Sequence, residues 1–220
     1  MLISLCIPVH NRTHDLKAAL PFLLIAAKHS PPTEIVIIDY NSQDDLTKYI
    51  FELDDPTVKY FKYTGRDHYH MAHARNLTIR AAQGEYVVIL SADICPAKGF
   101  IAIVRDMLKD GYVWMHGQLY TGAIVCQRAE LVAAGGYDER FEFYGPEDTD
   151  LNDRLTRRGG KFGLLPPLLN IIPTPNEQKI RNYRLPLSKR EMYQRMKPIY
   201  EENKAAKTLV ANQGQEWGRF

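Results

Sequence analysis

The sequence predicts an α/β fold, a mostly parallel central sheet with helices on both faces. Three observations carry this. Short β-branched apolar runs alternate with helix-like segments over the first ninety residues or so, the order that gives parallel strands with covering helices. The first run, residues 2–8, is apolar without clear alternation, as suits a strand covered on both faces. The ends of the runs carry polar groups, at Pro8-Val9-His10, Asp39-Tyr40 and Ser91-Ala92-Asp93. Ligands of such sheets bind beyond the carboxyl ends of the strands.

Residues 2–8 form the first run, and Asn11 or Thr13 can cap the helix that follows to about residue 28. Pro31-Pro32 breaks the chain before a second run at 34–39. A loop at 41–45 leads into a helix ending near 51, and 58–63 is a third strand. Residues 73–82 are helical in composition, Gly84 ends that helix, and 86–90 is the fourth strand. Beyond Pro96 the pattern changes. A helix at 99–109 precedes one or two strands within 112–127, with Gly117 and Gly122 as breaks. A short helix at 128–134 closes on Gly135-Gly136. A helix at 147–158 carries Leu151 and Leu155 on one face, and strand-like pieces follow at 161–165 and 170–172. From Arg181 the chain is rich in Arg, Lys and Tyr, helical between 188 and 204, and expected to fray from Gly214. The expected organisation is a domain at 1–178, with halves at 1–95 and 96–178, and a basic helical C-terminal extension at 179–220.

Composition narrows the class. The chain has 220 residues, of which 45% are apolar and 25% charged, enough for one sizeable core and against intrinsic disorder. A net charge of +2 does not call for nucleic acid or an anionic membrane as partner. Three cysteines without a CxxC spacing argue against a disulfide scaffold and a structural zinc site, and suit a reducing compartment. No signal-peptide pattern opens the chain. The longest apolar run, 18–27, is half the length of about 20 residues that a membrane span needs. The expected location is cytoplasmic, with any membrane contact peripheral.

Three constellations carry candidate chemistry. Asp93 ends the fourth strand, where a carboxylate can hold a divalent cation against a diphosphate or simply cap a turn before Pro96. Glu147, Asp148 and Asp150 crowd a Gly-rich turn that opens a helix. Capping needs one or two acids, and a general base acting on a sugar hydroxyl would be such a carboxylate facing a pocket. His73-Ala74-Arg75-Asn76 opens another helix, where Arg75 could meet a phosphate or a carboxylate with its forked donors. His68, His70, His73 and His10 do not have a zinc spacing. His116 is either an extra ligand or acceptor contact, or a core histidine.

These segments together resemble the inverting glycosyltransferases of family 2, which have the GT-A fold. Ser4-Leu5-Cys6-Ile7-Pro8-Val9-His10-Asn11-Arg12 resembles the family's first strand and loop. Asp39-Tyr40-Asn41-Ser42 resembles its nucleobase turn. Ala74-Arg75-Asn76 through Ala82-Gln83-Gly84-Glu85-Tyr86 resembles the helix and turn before the fourth strand, and Ser91-Ala92-Asp93 aligns with its metal-binding Asp-x-Asp. Gly135-Gly136-Tyr137-Asp138-Glu139, Gly145-Pro146-Glu147-Asp148-Thr149-Asp150-Leu151 and Arg154 resemble the acceptor-side motif of galactosyltransferase-like members. The likeness spans residues 2–172.

The resemblance implies a GT-A domain with a nucleotide-binding half at 1–95 and an acceptor half at 96–178. It implies donor contacts from Pro8, His10, Arg12, Asp39, Arg75, Ser91 and Ala92, with Pro8, His10 and Asp39 around the base. It implies Mn²⁺ or Mg²⁺ at Asp93, bridging the diphosphate of a nucleotide sugar, UDP-linked by default. Asp148 would be the catalytic base, with Glu147 and Gly145 on the acceptor side, and the sugar would be transferred with inversion. Two departures bear on the metal. Ser91 stands where the first Asp of Asp-x-Asp is expected, and 172–176 supplies no histidine ligand, so weak metal binding is expected. The acceptor expected from the family is a glycan or lipid-linked glycan, with protein or modified nucleic acid left open. The basic, Tyr-containing segment at 179–207 reads first as a solvated helix packing on the domain, and otherwise as a surface for nucleic acid, an anionic lipid or a polyanionic glycan. A nucleotidyltransferase is disfavoured, because the loop at 8–12 lacks glycine. A catalytically inactive nucleotide-sugar-binding module of the same fold is the alternative.

Overall fold

The computed structural model describes residues 1–118 and 122–220. Residues 119–121, inside the expected 112–127 strand region, lie outside the described part. The chain runs β1 (Ile3–Val9), α1 (Thr13–His29), β2 (Thr33–Tyr40), α2 (Leu46–Leu53), β3 (Val58–Tyr63), α3 (Met71–Ala81), β4 (Tyr86–Ile89) and β5 (Ile94–Pro96). It continues through α4 (Phe100–Lys109), β6 (Tyr112–His116), β7 (Ile124–Gln127), α5 (Arg128–Ala133) and α6 (Glu147–Arg158). It ends with β8 (Lys161–Leu164), β9 (Leu169–Ile171), α7 (Asn176–Ile180), a 3₁₀ turn at Arg181–Tyr183 and α8 (Lys189–Ala205).

β1 is apolar because both of its faces are covered. Side chains alternate across a strand, so Ile3, Leu5, Ile7 and Val9 enter one core layer with Leu16, Leu20 and Leu23 of α1. Cys6 enters the opposite layer with Leu77 of α3. β2 divides the same way, Ile35 and Ile37 to the first layer and Val36, Ile38 and Tyr40 to the second. Each fully buried aliphatic side chain contributes about 1.5–3 kcal/mol, which is why these strands are mostly apolar. The buried exceptions are hydrogen-bonded, Ser4 donating to Glu34 at 2.6 Å and Asp39 accepting the Ser42 N–H at 2.7 Å.

The seven-stranded sheet has the order β3-β2-β1-β4-β7-β6-β8. β1 pairs in parallel with β2 and β4, β2 with β3, and β6 with β8, while β7 runs antiparallel to β4 and β6. β5 and β9 form a separate antiparallel pair. The chain winds outward from β1 through β2 to β3, then crosses to β4 on the other side of β1. That reversal is where open α/β sheets place their ligands.

Several local expectations are corrected. Neither Asn11 nor Thr13 caps α1 with its side chain. Instead the carboxylate of Asp44, from the next loop, accepts the Thr13 N–H at 3.0 Å. Asn11, at φ 51°, ties itself to the same loop through Ser42 and Gln43. α3 starts at Met71, with His70 as its N-cap, so Arg75 lies a full turn inside the helix rather than at its anion-binding end. The chain beyond Gly214 does not fray: Trp217 is buried in the second layer, with its ring under Arg80 at 3.8 Å. Gly218 N–H donates to Glu139, and Asn212 donates to the carbonyls of Gly135 and Tyr137. α8 begins with a capping box between Ser188 and Glu191 and buries Met192 and Met196 against the body of the protein.

Candidate active site

A cleft of about 400 Å³ opens where β1 and β4 end. Its floor includes Pro8, His10, Arg12, Ser91, Ala92 and Asp93. His10 is buried, stacks on Tyr69 with 5° between the rings, and its Nδ1–H donates to the Tyr40 carbonyl. The Asn11 amide meets Nε2 at 3.2 Å, which fits a neutral ring protonated at Nδ1. Burial holds the His10 pKa below its ordinary value, in agreement with that tautomer.

Asp93 is buried at 1% exposure, and its Oδ2 accepts from Arg12 Nη2 at 3.0 Å and Lys179 Nζ at 2.7 Å. Arg12 also pairs with Asp15 at 2.7 Å. Burial pushes the Asp93 carboxyl up, but Arg12 and Lys179 outweigh it and hold the pKa below the ordinary carboxylate range. Asp93 is therefore an anion inside a small charge network.

The opposite wall is the first turn of α6. Asp148 Oδ1 accepts from Arg75 Nη1 at 2.5 Å, whereas Oδ2 accepts no hydrogen bond among the described residues. Glu147 is turned inward: Oε2 accepts the Gly145 N–H at 3.1 Å and Oε1 lies 3.4 Å from Arg75. Burial, then the neighbouring Asp148 charge, push the Glu147 carboxyl up to about 8 against the opposing pull of Arg75. Arg75 is itself buried, with its guanidinium 5.0 Å from the Tyr137 ring centroid. Gly122 faces this group, and a Cβ there would stand 2.9 Å from Asp148 Oδ2 and 3.0 Å from Arg75 Nη2. Gly145 is held in place by α8, since a Cβ would fall 2.5 Å from Met196 Cβ. Below, Arg154 is fully buried and pairs with Asp150 at 2.8 Å. It also donates to the carbonyls of Ala134 and Gly136, fixing the Gly135-Gly136 turn.

Of the expected site residues, Pro8, His10, Arg12, Arg75, Ser91, Ala92, Asp93, Gly145, Glu147 and Asp148 all line this one cleft. Arg75 is there on the α6 side, engaged by Asp148 and Glu147. Asp39 is not among the lining residues. Its carboxylate is taken by the Ser42 N–H at 2.7 Å and the Tyr60 hydroxyl at 2.6 Å, and it shapes the loop behind His10. His116 also lies outside the lining, with its ring 5.2 Å from Phe162. The residues that sequence reading missed come mainly from the C-terminal extension: Lys179, Asn182, Tyr183, Lys189 and Tyr193. The basic, Tyr-bearing character of that segment was the only signal.

Residues 4–134 match the glycosyl transferase family 2 model. The chain belongs to glycosyl transferase family 2. Residues 110–178 of this family 2 protein also match the N-terminal domain of galactosyltransferase. Over 120 residues, 52% of the chain, it is 30% identical to chondroitin synthase of Pasteurella multocida, covering 12% of that protein. It is 33% identical over 116 residues to an uncharacterised glycosyltransferase of Rickettsia conorii, covering 18% of it. The chain thus spans under a fifth of either curated relative. Among solved structures, S. aureus TarS in complex with UDP superposes with a TM-score of 0.65 at 13% identity, over 75% of this chain and 58% of TarS. The mannosyltransferase PcManGT from Pyrobaculum calidifontis, in complex with GDP-Man and Mn²⁺, gives 0.67 at 19% identity, over 83% of this chain and 60% of that one. Both likenesses are of fold, and the fold of this family 2 chain is GT-A. Among the described residues, no helix is long and apolar enough to cross a membrane.

Proposed function

We propose that the cleft transfers a sugar from a nucleotide-sugar donor, UDP-linked, to an acceptor hydroxyl with inversion at the anomeric carbon. The observation that carries this is the pairing of two differently treated carboxylates across one cleft. Asp93 is tied up by cations at the strand end, and on the facing wall Asp148 keeps one oxygen without a donor among the described residues. Pro8, His10, Arg12, Ser91 and Ala92 would line the donor side, with Asp39 acting from behind the loop. Glu147, Gly145 and Asp148 would form the acceptor side, with Arg75 orienting the two acids. The complexes of TarS with UDP and UDP-GlcNAc, and of PcManGT with GDP-Man, support a nucleotide sugar as donor. The acceptor read from the family is a glycan or lipid-linked glycan. The division at 1–178 and 179–220 is kept as a description of chain order, with the extension supplying part of the cleft wall.

In this reading Asp148 Oδ2 accepts the proton of the acceptor hydroxyl as that oxygen bonds to the anomeric carbon. The bond from that carbon to the diphosphate oxygen breaks, and its electron pair leaves with the diphosphate. Arg75 holds Asp148 still by pairing with Oδ1, which limits the conformations the base can lose reactivity to.

The residues fit a loosely held hard cation. Asp93 Oδ1 accepts from neither Arg12 nor Lys179, and Ser91 lines the same wall. The described residues contain no group of three His, Cys, Asp or Glu that could hold an ion alone. Mg²⁺-like ions are commonly held through one or two carboxylates and substrate phosphates, so Asp93 would be the protein's ligand for Mn²⁺ or Mg²⁺. Such an ion, when bound, neutralises charge on the leaving diphosphate.

The test is a panel of UDP- and GDP-sugars with glycan acceptors, read by NMR for the anomeric configuration of the product. Inverted product from wild type, with Asp148→Asn lowering kcat by about 10²–10⁴-fold while binding UDP as before, is the expected result. Retained configuration, or full activity in Asp148→Asn, contradicts the assignment. Nucleotide binding with no transfer in any pairing would favour the inactive binding module.

A further inference from the structure

Lys179 belongs to α7, in the C-terminal extension, yet it reaches back to the end of β4 and donates to Asp93 Oδ2 at 2.7 Å. Arg12 Nη2 donates to the same oxygen at 3.0 Å. The segment carrying Lys179 is fastened on both sides. Before it, Thr174 donates to Asp15 Oδ1 at 2.6 Å and accepts from Arg12 at 3.4 Å. After it, Asn182 donates to the His10 carbonyl at 2.9 Å, and its own carbonyl accepts the Tyr69 N–H at 2.9 Å. Tyr183 then buries its ring beside the cleft. Lys179 is thus held at the donor-side wall by contacts to α1 and to the loop between β1 and α1, not carried on a loose tail.

Its ammonium has three N–H donors. One goes to Asp93, and no acceptor for the other two occurs among the described residues. The Lys179 side chain is 32% exposed, against 15% for Arg12 and 2% for Asp93, so it is the accessible member of the cluster. A cation that lines the cleft, is positioned by its neighbours and has spare donors suits an oxyanion with several acceptor oxygens. A lysine ammonium meets phosphate as a point charge, without the directional demands of a guanidinium fork.

We propose that Lys179 is a ligand of the donor's diphosphate. Its Nζ, which donates to Asp93 in this structure, takes a non-bridging phosphate oxygen when a nucleoside diphosphate enters, with Arg12 alongside. This rests on the reading of the cleft as a nucleotide-sugar site. It places part of the donor site in the C-terminal extension and gives the leaving diphosphate a fixed cation from this chain.

The experiment is calorimetric titration of UDP, GDP and the matching nucleosides into wild type, Lys179→Gln and Lys179→Arg. Lys179→Gln should weaken binding of the preferred diphosphate at least tenfold, about 1.4 kcal/mol. Affinity for its nucleoside should not change, and Lys179→Arg should restore most of the loss. Diphosphate binding in Lys179→Gln equal to or tighter than wild type overturns the proposal, because Lys179 would then only be occupying Asp93. An equal loss for nucleoside and diphosphate also overturns it, because the cause would be a disturbed segment rather than a lost charge. If wild type itself binds neither UDP nor GDP, the reading of the cleft falls first and this proposal falls with it.

Discussion

Asp148 and Glu147 are adjacent in sequence and chemically unlike, because the first turn of α6 points one toward the cleft and the other inward. Glu147 is 2% exposed and next to a second carboxylate, which is why its pKa is pushed up to about 8. A carboxyl raised in the folded state binds more protons there than in the unfolded chain. Its contribution to stability is therefore present at low pH and is lost as pH rises from the ordinary glutamate range toward 8. Glu147→Gln should flatten the fall in Tm between about pH 5 and 8 relative to wild type, and identical pH profiles for the two proteins would contradict this. Gly122 makes a different point at the same scale. A methyl there would meet Asp148 Oδ2 at 2.9 Å, so Gly122→Ala should lower kcat roughly 10–100-fold with donor binding intact. A wild-type kcat in that variant would show that Oδ2 is not the reacting oxygen. Asp93 and the acidic start of α6 were legible as cleft candidates, since a strand end and a run of acids at a helix start are local patterns, whereas only the family resemblance separated Asp148 from Glu147 and Asp150. Gly122 was read only as a strand break, because what it leaves room for lies on α3 and α6.

At the scale of elements, the C-terminal segment is the part that sequence reading placed least well. Trp217 packs on Arg80 and against Gly136, where a Cβ would come within 2.8 Å of its ring. Asn76 and Asn212 meanwhile hydrogen-bond the Gly135–Tyr137 backbone. Tyr137 in turn lies under Arg75. Trp217→Ala should cost about 3 kcal/mol, or roughly 6–12 °C in Tm for a chain of this size. A Tm within 2 °C or so of wild type would mean that the segment frays after all. The runs that became β1, β2 and β4 were legible because a strand buried on both faces is apolar along most of its length, whereas β3 is a partly exposed edge strand whose Val, Tyr and Phe residues marked it. The docking of Trp217 was not, because its partners on α3 are distant in sequence and a Gly-rich, polar stretch looks unfolded when read locally. The capping of α1 by Asp44 was hidden for the same reason, since the carboxylate comes from a different loop.

For the whole molecule, the sheet order places the ends of β1 and β4 side by side at the winding reversal, and the acidic start of α6 closes the other wall. The charges there are closely matched. Arg12 and Lys179 offset Asp15 and Asp93, and Arg75 serves Asp148 and Glu147. A diphosphate entering this cleft would meet a network that must trade partners to receive it, which would tie donor affinity to Asp93, Arg12 and any bound cation together. The fold class was legible because it follows from the order of strands and helices. The extension's share of the cleft was not, because a basic helical segment reads first as a solvated face. Thermal unfolding with UDP and with GDP, each with and without Mn²⁺, decides whether the cleft takes a nucleotide. A ligand at 100 times its Kd adds about 2.7 kcal/mol of stability, roughly 5–11 °C here. A nucleotide-sugar cleft gives a rise of that size with one of the two nucleotides, larger when Mn²⁺ is present. No rise with either, at millimolar nucleotide and metal, would contradict the assignment of this cleft to a nucleotide sugar.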